Sequence, residues 1–253
     1  MQSLPMIDES RLEVLALVPA RGGSKSIPRK NLRFVHGKPL IAWSIGHGLA
    51  ARLITRVVVT TDDAEIADVA RAHGAEVPFL RPPEISGDSA VDFEFHLHAL
   101  EWLRNHEGYV PDMVVQLRPT HPLRRPETLD RAIEAFAGRP DADSLRAVRP
   151  ACFTPYKMWI PGADGLLTPL LQLDGVEAPY NMPRDALPKV VQQDGYVDIT
   201  RPRTVFEQGS TTGRRILSFF VDEPVVDIDY EHELVAAEQL LATEIPSHDD
   251  SAR

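Results

Sequence analysis

Apolar runs typical of strands alternate with segments of helical periodicity from residue 14 to residue 148. The runs fall at residues 14–18, 57–59, 76–80, 113–117 and 144–148. Helical patterns occur at 39–51, 62–74 and 93–100, and another begins at Pro126 with Leu129, Ile133 and Phe136 on one face. Strands separated by helices indicate βαβ units and a parallel sheet. We therefore predict an α/β fold, Rossmann-like, with a mostly parallel sheet flanked by helices.

This alternation stops near Pro150. Seven prolines lie within residues 150–190, and no helical pattern fits there. We predict an arm or insertion over approximately 150–195, a proline-rich dimerisation arm that leaves the sheet and returns near Gly195. A strand pattern at 216–221 and a helical pattern at 230–241 follow. We assign a single domain to residues 12–245, with flexible termini at 1–11 and 246–253.

Charge and cysteine content restrict the class of protein. The formal net charge of −10 argues against a general nucleic-acid binder, which normally carries a basic face. The sequence contains no run of about 18 apolar residues, so we predict no membrane span. Residues 1–10 lack the pattern of a secretory signal. The single cysteine, Cys152, allows no internal disulfide and favours a reducing compartment. We expect a cytoplasmic protein that binds neither membrane nor nucleic acid.

A cationic loop at residues 19–31 follows the first apolar run and stands out in so acidic a chain. It carries Arg21, Lys25, Arg29 and Lys30 around Gly22, Gly23 and Ser24. It is neither a Walker A sequence nor a Gly-x-Gly-x-x-Gly fingerprint. Backbone N–H groups and cations at the end of a strand suit a polyphosphate. We predict that Arg21, Lys25 and Lys30 neutralise charge on a leaving pyrophosphate.

An Asp-x-Asp sequence, Asp227-Ile228-Asp229, lies near the end of the chain. On an extended segment the two carboxylates project to the same side. Mg²⁺ typically takes one or two carboxylates together with phosphate oxygens, so we predict that Asp227 and Asp229 bind Mg²⁺. Asp229 also suits the N-cap of the helix that follows.

Further polar side chains follow the other predicted strands. Asp62 is expected to cap a helix, with Glu65 completing a capping box. Arg81 suits a base or a phosphate, or else pairs with Glu84 or Asp88. We assign Asp92 to the nucleotide and Arg118 to an anionic substrate, and expect His121 to be structural. Arg184, Lys189 and Asp198 follow the proline-rich stretch, and Arg184 suits a substrate carboxylate.

Four motifs in this chain resemble the acylneuraminate cytidylyltransferases, the CMP–sialic acid synthetases. They are residues 19–31 (PARGGSKSIPRKN), 81–85 (RPPEI), 118–124 (RPTHPLR) and 227–229 (DID). The resemblance covers roughly residues 14–241. It implies Mg²⁺-dependent transfer of CMP from CTP to the anomeric hydroxyl of a 2-keto-3-deoxy sugar acid, with release of pyrophosphate. It also implies a homodimer whose arm crosses to the other subunit.

The resemblance assigns roles residue by residue. Arg21, Lys25, Lys30 and Asn31 fall on nucleotide positions, Arg81 on a cytosine contact, Asp227 and Asp229 on metal positions, and Lys157 and Arg184 near the sugar acid. The chain differs from sialate members at Ser26 and His121. It differs on the sugar side at Arg118 and residues 194–198, which include Asp198, so the acceptor stays open. The alternatives are another nucleotide or sugar acceptor, a GT-A glycosyltransferase, or a nucleotide-binding regulatory module.

Overall fold

The structure is a computed structural model that describes residues 12–244. The termini predicted to be flexible, residues 1–11 and 246–253, lie outside these residues. The chain divides into two compact units, one holding the residues up to Ala147 and from Gly195 onward, the other Val148–Asp194. No helix among the described residues is long and apolar enough to cross a membrane.

The secondary structure of residues 12–244 follows the predicted alternation. The strands are β1 (Val14–Pro19), β2 (Phe34–Val35), β3 (Lys38–Pro39), β4 (Arg56–Thr60), β5 (Met113–Gln116), β6 (Ser144–Pro150), β7 (Trp159–Pro161), β8 (Leu167–Pro169), β9 (Val191–Thr200) and β10 (Ile216–Phe220). The helices are α1 (Leu40–Ala50), α2 (Ala64–Ala72), α3 (Asp92–Glu107), α4 (Pro126–Ala137), α5 (Pro202–Gln208) and α6 (Glu231–Glu244).

Six strands form the central sheet, in the order β10-β6-β9-β5-β1-β4. Strand β1 pairs in parallel with both β4 and β5, whereas β9 pairs antiparallel with β5. Parallel neighbours need a crossover, and α1 and α2 with α3 supply it on either side of β4. The predicted α/β class, with a mostly parallel sheet flanked by helices, is confirmed.

The sheet is covered on both faces, which explains why its inner strands are continuous apolar runs rather than alternating ones. In β1, Val14, Ala16 and Val18 pack with side chains of α1, α2 and α4, whereas Leu15 and Leu17 pack with α3 and α5. Leu129, Ile133 and Phe136 of α4 are fully buried, as their spacing predicts. The carboxyl ends of β1, β4 and β5 are thereby fixed along one edge.

A third apolar cluster anchors the last part of the chain. Leu234, Ala237 and Leu241 of α6 pack with Ile27 and Trp43, and Ile228 is fully buried in the same cluster. The segment that carries the two aspartates is therefore packed against the cationic loop and α1. Helix α6 begins at Glu231, one residue after the predicted start at Tyr230.

Three predictions about local structure were wrong. No third strand forms at 76–80, where Glu76 makes only an isolated parallel bridge to Val58. Asp62 does not cap α2, because the N-cap is Asp63, whose carboxylate accepts from the Ile66 N–H. Helix α5 lies where none was predicted.

The unit Val148–Asp194 contains a two-stranded antiparallel sheet, β7 with β8, and short 3-10 turns. Arg149 Nη2 pairs with Asp194 Oδ2 at 3.1 Å within it. Large apolar side chains are exposed on this unit, at Phe153, Ile160, Leu166 and Leu167. Its use as a dimerisation arm stays a prediction.

Candidate active site

The cationic loop leaves β1 and is held in place by two polar contacts. The Gly22 N–H donates to Asp62 Oδ1 at 2.9 Å, and Asn31 Nδ2 donates to the Arg21 carbonyl at 2.9 Å. Asn31 is itself buried. Asp62 thus orients the loop instead of capping a helix, and the Gly22 N–H, predicted for a phosphate, is already bonded to a carboxylate.

The four cations of the loop point in different directions. Arg21 Nη1 pairs with Asp88 Oδ1 at 2.9 Å, and Lys25 Nζ pairs with Asp88 Oδ2 at 2.6 Å. Arg29 instead pairs with Asp63 and Glu65 of the α2 start. Three cations therefore remain for a ligand, and two of them are paired with one exposed carboxylate that the sequence did not mark as a site residue.

Lys30 connects the loop to the Asp-x-Asp segment. Its Nζ donates to the Ile228 carbonyl and to Asp229 Oδ1, each at 2.9 Å. The side chain of Lys30 is 14% exposed, so the ammonium group is largely enclosed. The structure brings together residues almost 200 positions apart, as the predicted phosphate-and-metal site requires.

Asp227 and Asp229 extend from a segment that is tied to the end of β5. The Ile228 N–H donates to the Thr120 carbonyl at 3.0 Å, and His121 Nδ1 lies 3.6 Å from Asp227 Oδ1. Partial burial raises the pKa of the Asp227 carboxyl, the nearby charge of Asp229 raises it further, and a hydrogen bond from Thr120 opposes both. A bound cation would relieve this repulsion.

Arg81 lies at the bottom of the cleft rather than at its rim. It is 5% exposed, and its guanidinium donates to the Thr60 hydroxyl at 3.1 Å and the Thr60 carbonyl at 2.6 Å. The same group lies 4.9 Å from the centre of the Phe95 ring. Burial lowers the pKa of Arg81 to about 10, against the opposing charges of Asp62 and Asp92. The alternative pairing with Glu84 or Asp88 is not formed.

Asp92, Arg118 and Asp198 form one ion-paired row. Arg118 donates to Asp92 Oδ2 and to Asp198 Oδ2, each at 2.6 Å. Burial alone would lower the pKa of Arg118, but the two carboxylates outweigh it and raise the pKa. The guanidinium that was predicted to bind an anionic substrate is therefore already neutralised by the chain.

Two adjoining clefts collect most of the predicted residues. The first, about 340 Å³, is lined by Arg21, Lys30, Asn31, Arg81, Asp88, Asp92, Phe95, Arg118 and Thr120, among others. The second, about 330 Å³, is lined by Arg21, Ser24, Lys25, Ser26, Lys30, Asn31, Asp88 and Asp229. Arg21, Lys30, Asn31 and Asp88 line both.

Some predicted residues lie apart from these clefts. Gly22, Gly23 and Asp227 line neither, and Asp198 is linked to the first cleft through Arg118. Lys157 and Arg184 belong to the separate unit Val148–Asp194, where both are exposed. Asp88, Phe95 and Thr120 were missed as site residues. Thr120 lies in the motif at 118–124, which could have indicated it, whereas Asp88 and Phe95 had no sequence signal beyond their proximity to Arg81 and Asp92.

The donor set fits the predicted magnesium ion. Asp227 and Asp229 offer carboxylate oxygens two residues apart, and Mg²⁺ binds through one or two carboxylates plus substrate phosphates. Among residues 12–244, no cluster of three or more His, Cys, Asp or Glu side chains could hold a metal by itself. A magnesium ion here would depend on phosphate oxygens from the substrate.

Fold and site together define an α/β protein with a cleft lined by cationic side chains at the carboxyl ends of parallel strands. The family model described as Cytidylyltransferase matches residues 15–155, more than half of the chain. The chain therefore belongs to the cytidylyltransferase family. This family is named for nucleotidyl transfer, which favours that class over the GT-A glycosyltransferase alternative.

Two relatives illustrate the similarity. The chain is 40% identical over 123 residues to a CMP-N,N'-diacetyllegionaminic acid synthase of Legionella pneumophila, covering 49% of this chain and 53% of the relative. It is 41% identical over 122 residues to a pseudaminic acid cytidylyltransferase of Campylobacter jejuni, covering 48% and 52%. The matched part spans about half the length of these relatives.

A solved structure shows the same fold over nearly the whole chain. It is a CMP:2-keto-3-deoxy-manno-octonic acid synthetase complexed with CTP, with a TM-score of 0.67 and 16% identity. The superposition covers 92% of this chain and 100% of the other. The similarity therefore includes residues beyond 155, which the family model does not match.

Proposed function

We propose that this protein transfers CMP from CTP to the anomeric hydroxyl of a sialic-acid-like 2-keto-3-deoxy sugar acid and releases pyrophosphate. The observation that carries the proposal is the contact of Lys30 with both Ile228 and Asp229. It joins the cationic loop to the Asp-x-Asp segment, whose Asp229 lines the second cleft together with Arg21, Lys25 and Lys30. Two relatives are named as a CMP-N,N'-diacetyllegionaminic acid synthase and a pseudaminic acid cytidylyltransferase, and these names support the choice of donor and acceptor.

In this mechanism the sugar hydroxyl attacks the α-phosphorus of CTP in line with the leaving pyrophosphate. Arg21, Lys25 and Lys30 neutralise the charge that develops on the pyrophosphate, which requires Arg21 and Lys25 to exchange Asp88 for phosphate oxygens. Arg81 would donate to the cytosine ring from the bottom of the cleft. Loss of one preorganised contact of this kind costs about 3 kcal/mol, or 10²–10³ in rate.

Magnesium is part of the proposal. Bound by Asp227 and Asp229, it would supply charge stabilisation at the phosphate oxygens. Asp227 Oδ1 lies 3.6 Å from His121 Nδ1 and Asp229 Oδ1 lies 2.9 Å from Lys30 Nζ, so each carboxylate has a different neighbour in the chain. No side chain of the described residues is assigned as a general base.

The direct test measures pyrophosphate release from the four nucleoside triphosphates with a panel of sugar acids. The panel contains pseudaminic, N,N'-diacetyllegionaminic, N-acetylneuraminic and 3-deoxy-manno-octulosonic acids. We expect pyrophosphate release with CTP and at least one of the first three acids, which are sialic-acid-like. Release with another nucleotide only, or with none of the sugar acids, would contradict the proposal.

The variant Asp227→Ala tests the carboxylate pair within the same assay. We expect a folded protein with pyrophosphate release reduced by at least about 10²-fold, because a ligand for the metal is lost. Asp222→Ala is the matched control, since Asp222 is an exposed aspartate five residues away on the same segment. Equal activity of both variants would remove Asp227 from the mechanism.

We further propose that the apolar surface of the unit Val148–Asp194 is buried in a homodimer. Leu166 is 70% and Leu167 is 59% exposed on the described chain, and contiguous exposed apolar side chains often mark protein interfaces. Sedimentation equilibrium should show a dimer for the wild type and for Val110→Asp, but a monomer for Leu166→Asp/Leu167→Asp. A monomeric wild type would refute the dimer.

From the sequence we also propose that the protein is located in the cytoplasm.

A further inference from the structure

The carboxylate of Asp92 is fixed in the first cleft, with one of its oxygens left over. Oδ2 accepts from Gln116 Nε2 at 2.8 Å and from Arg118 Nη2 at 2.6 Å. Oδ1 accepts no hydrogen bond from any residue among 12–244. The side chain is 42% exposed, and it lines the cleft of about 340 Å³. A charged acceptor atom is thus available to a ligand.

The groups behind Asp92 keep it in this orientation. Gln116 and Asp198 are each 3% exposed, and Asp198 holds Arg118 from the side opposite to Asp92. Burial alone would raise the pKa of Asp92, but the charge of Arg118 and the hydrogen bond from Gln116 outweigh it and lower the pKa. The carboxylate is therefore ionised at neutral pH and rigidly oriented, as a selective acceptor must be.

The surroundings indicate which kind of ligand group this oxygen meets. The charged residues that line the same cleft are mostly cations, and neutral groups complete the lining; the cations are Arg21, Lys30, Arg81 and Arg118, and the neutral groups include Asn31, Phe95 and Thr120. Asp88, the other carboxylate, is paired with Arg21 and Lys25. An anionic group of the substrate would be repelled by Asp92, whereas a neutral hydroxyl would donate to it.

We propose that Asp92 Oδ1 accepts a hydrogen bond from a substrate hydroxyl and makes that hydroxyl a requirement for binding. The inference rests on the proposed function, whose two substrates both carry hydroxyls, on the ribose of CTP and on the sugar acid. Arg118 is then a positioning residue, which orients Asp92 and does not itself bind the acceptor. Recognition of this type discriminates strongly, because a ligand without the hydroxyl leaves the carboxylate oxygen unpaired.

The test combines one substitution with the removal of single hydroxyls. In Asp92→Asn, the amide oxygen must face the two donors Gln116 and Arg118, so the cleft receives an NH₂ group instead of an acceptor. Calorimetry gives the affinity of both proteins for CTP, 2'-deoxy-CTP and 3'-deoxy-CTP. The KM values for the consumed sugar acid and for its singly deoxygenated analogues complete the set.

The wild type should favour the hydroxyl-bearing ligand over one deoxy analogue by about 10- to 100-fold, which is the range of a charge-assisted hydrogen bond. Asp92→Asn should abolish this preference for that analogue alone. If Asp92→Asn reduces the preference for CTP over a deoxy-CTP, the hydroxyl belongs to the ribose. If it reduces the preference for the sugar acid over a deoxy analogue, the hydroxyl belongs to the acceptor. The inference would be overturned if the wild type and Asp92→Asn showed the same preference for the hydroxyl-bearing ligand over every deoxy analogue.

Two controls keep the outcome interpretable. Asp68→Asn removes the same charge from an exposed position on α2 and should leave every ratio unchanged. If Asp92→Asn does not fold, Gln116→Leu removes one of the two donors while keeping the carboxylate, and should narrow the same ratio. A wild type that binds no CTP or consumes no sugar acid would contradict the proposed function, not this inference.

Discussion

Gly22 of the cationic loop lies directly against Asp63, the N-cap residue of α2. A Cβ atom at this position would lie 2.7 Å from Asp63 Oδ2 and 3.0 Å from Asp63 Cβ. Asp63 cannot readily move away, because it accepts from the Ile66 N–H and pairs with Arg29. The position therefore requires a residue without a side chain. At Gly23, in contrast, a Cβ atom would have open space, with no contact within 4 Å.

This difference gives a prediction for two neighbouring glycines. Gly22→Ala should lower the free energy of unfolding by about 1–3 kcal/mol, as overpacking does, and weaken CTP binding because the loop shifts. Gly23→Ala should change the free energy by less than about 0.5 kcal/mol. Urea unfolding of both variants measures it. A Gly22→Ala protein as stable as Gly23→Ala would show that the loop adapts freely.

The sequence identified which residue types form the site better than it identified their partners. The cationic loop and the Asp-x-Asp pair were found from local patterns. That Arg29 pairs with the start of α2, and that Asp88 pairs with Arg21 and Lys25, depends on side-chain directions across the sheet edge. No local pattern encodes those directions. The roles assigned to these residues stay predictions.

Among the elements, helix α2 begins at Ala64 and is capped by Asp63. The carboxylate of Asp63 satisfies one of the N–H groups that every helix leaves unpaired at its start. Asp63→Ala should therefore lower the free energy of unfolding by about 1 kcal/mol. Asp62→Ala should lower it less, because Asp62 bonds to the Gly22 N–H in the loop instead. Thermal denaturation of the two variants measures which aspartate contributes more to stability. A larger loss in Asp62→Ala than in Asp63→Ala would contradict the assignment of Asp63 as the cap.

The elements that were missed have physical reasons. Helix α5 has only seven residues and begins at a proline after β9, so its periodicity is too short to detect. Strand β9 spans ten residues but is polar and exposed over its first part, which hides it next to a proline-rich stretch. Residues 76–80 are apolar enough for a strand, yet after Glu76 no described neighbour continues the pairing.

At the scale of the whole molecule, acid should destabilise the fold through a buried histidine. Burial lowers the pKa of His96 to about 4, below its ordinary value near 6.5, so the unfolded chain binds the proton more strongly. His96 should therefore contribute a fall in the free energy of unfolding of about 1.4 kcal/mol for each unit by which the pH is lowered between 6.5 and about 4.

Urea unfolding across this pH range tests the effect of His96. The slope should be shallower in His96→Gln than in the wild type. It should be unchanged in His232→Gln, since His232 is 79% exposed. Identical slopes in all three proteins would show that His96 takes no part in acid sensitivity.

The bond between Lys30 and Asp229 also has a consequence for the order of synthesis. A ribosome makes the cationic loop first and the Asp-x-Asp segment some 200 residues later. The strands β1, β4 and β5 are complete well before that segment leaves the exit tunnel. A growing chain can thus form these strands before it holds both halves of the cleft, and the cleft is completed only after the Asp-x-Asp segment has been made.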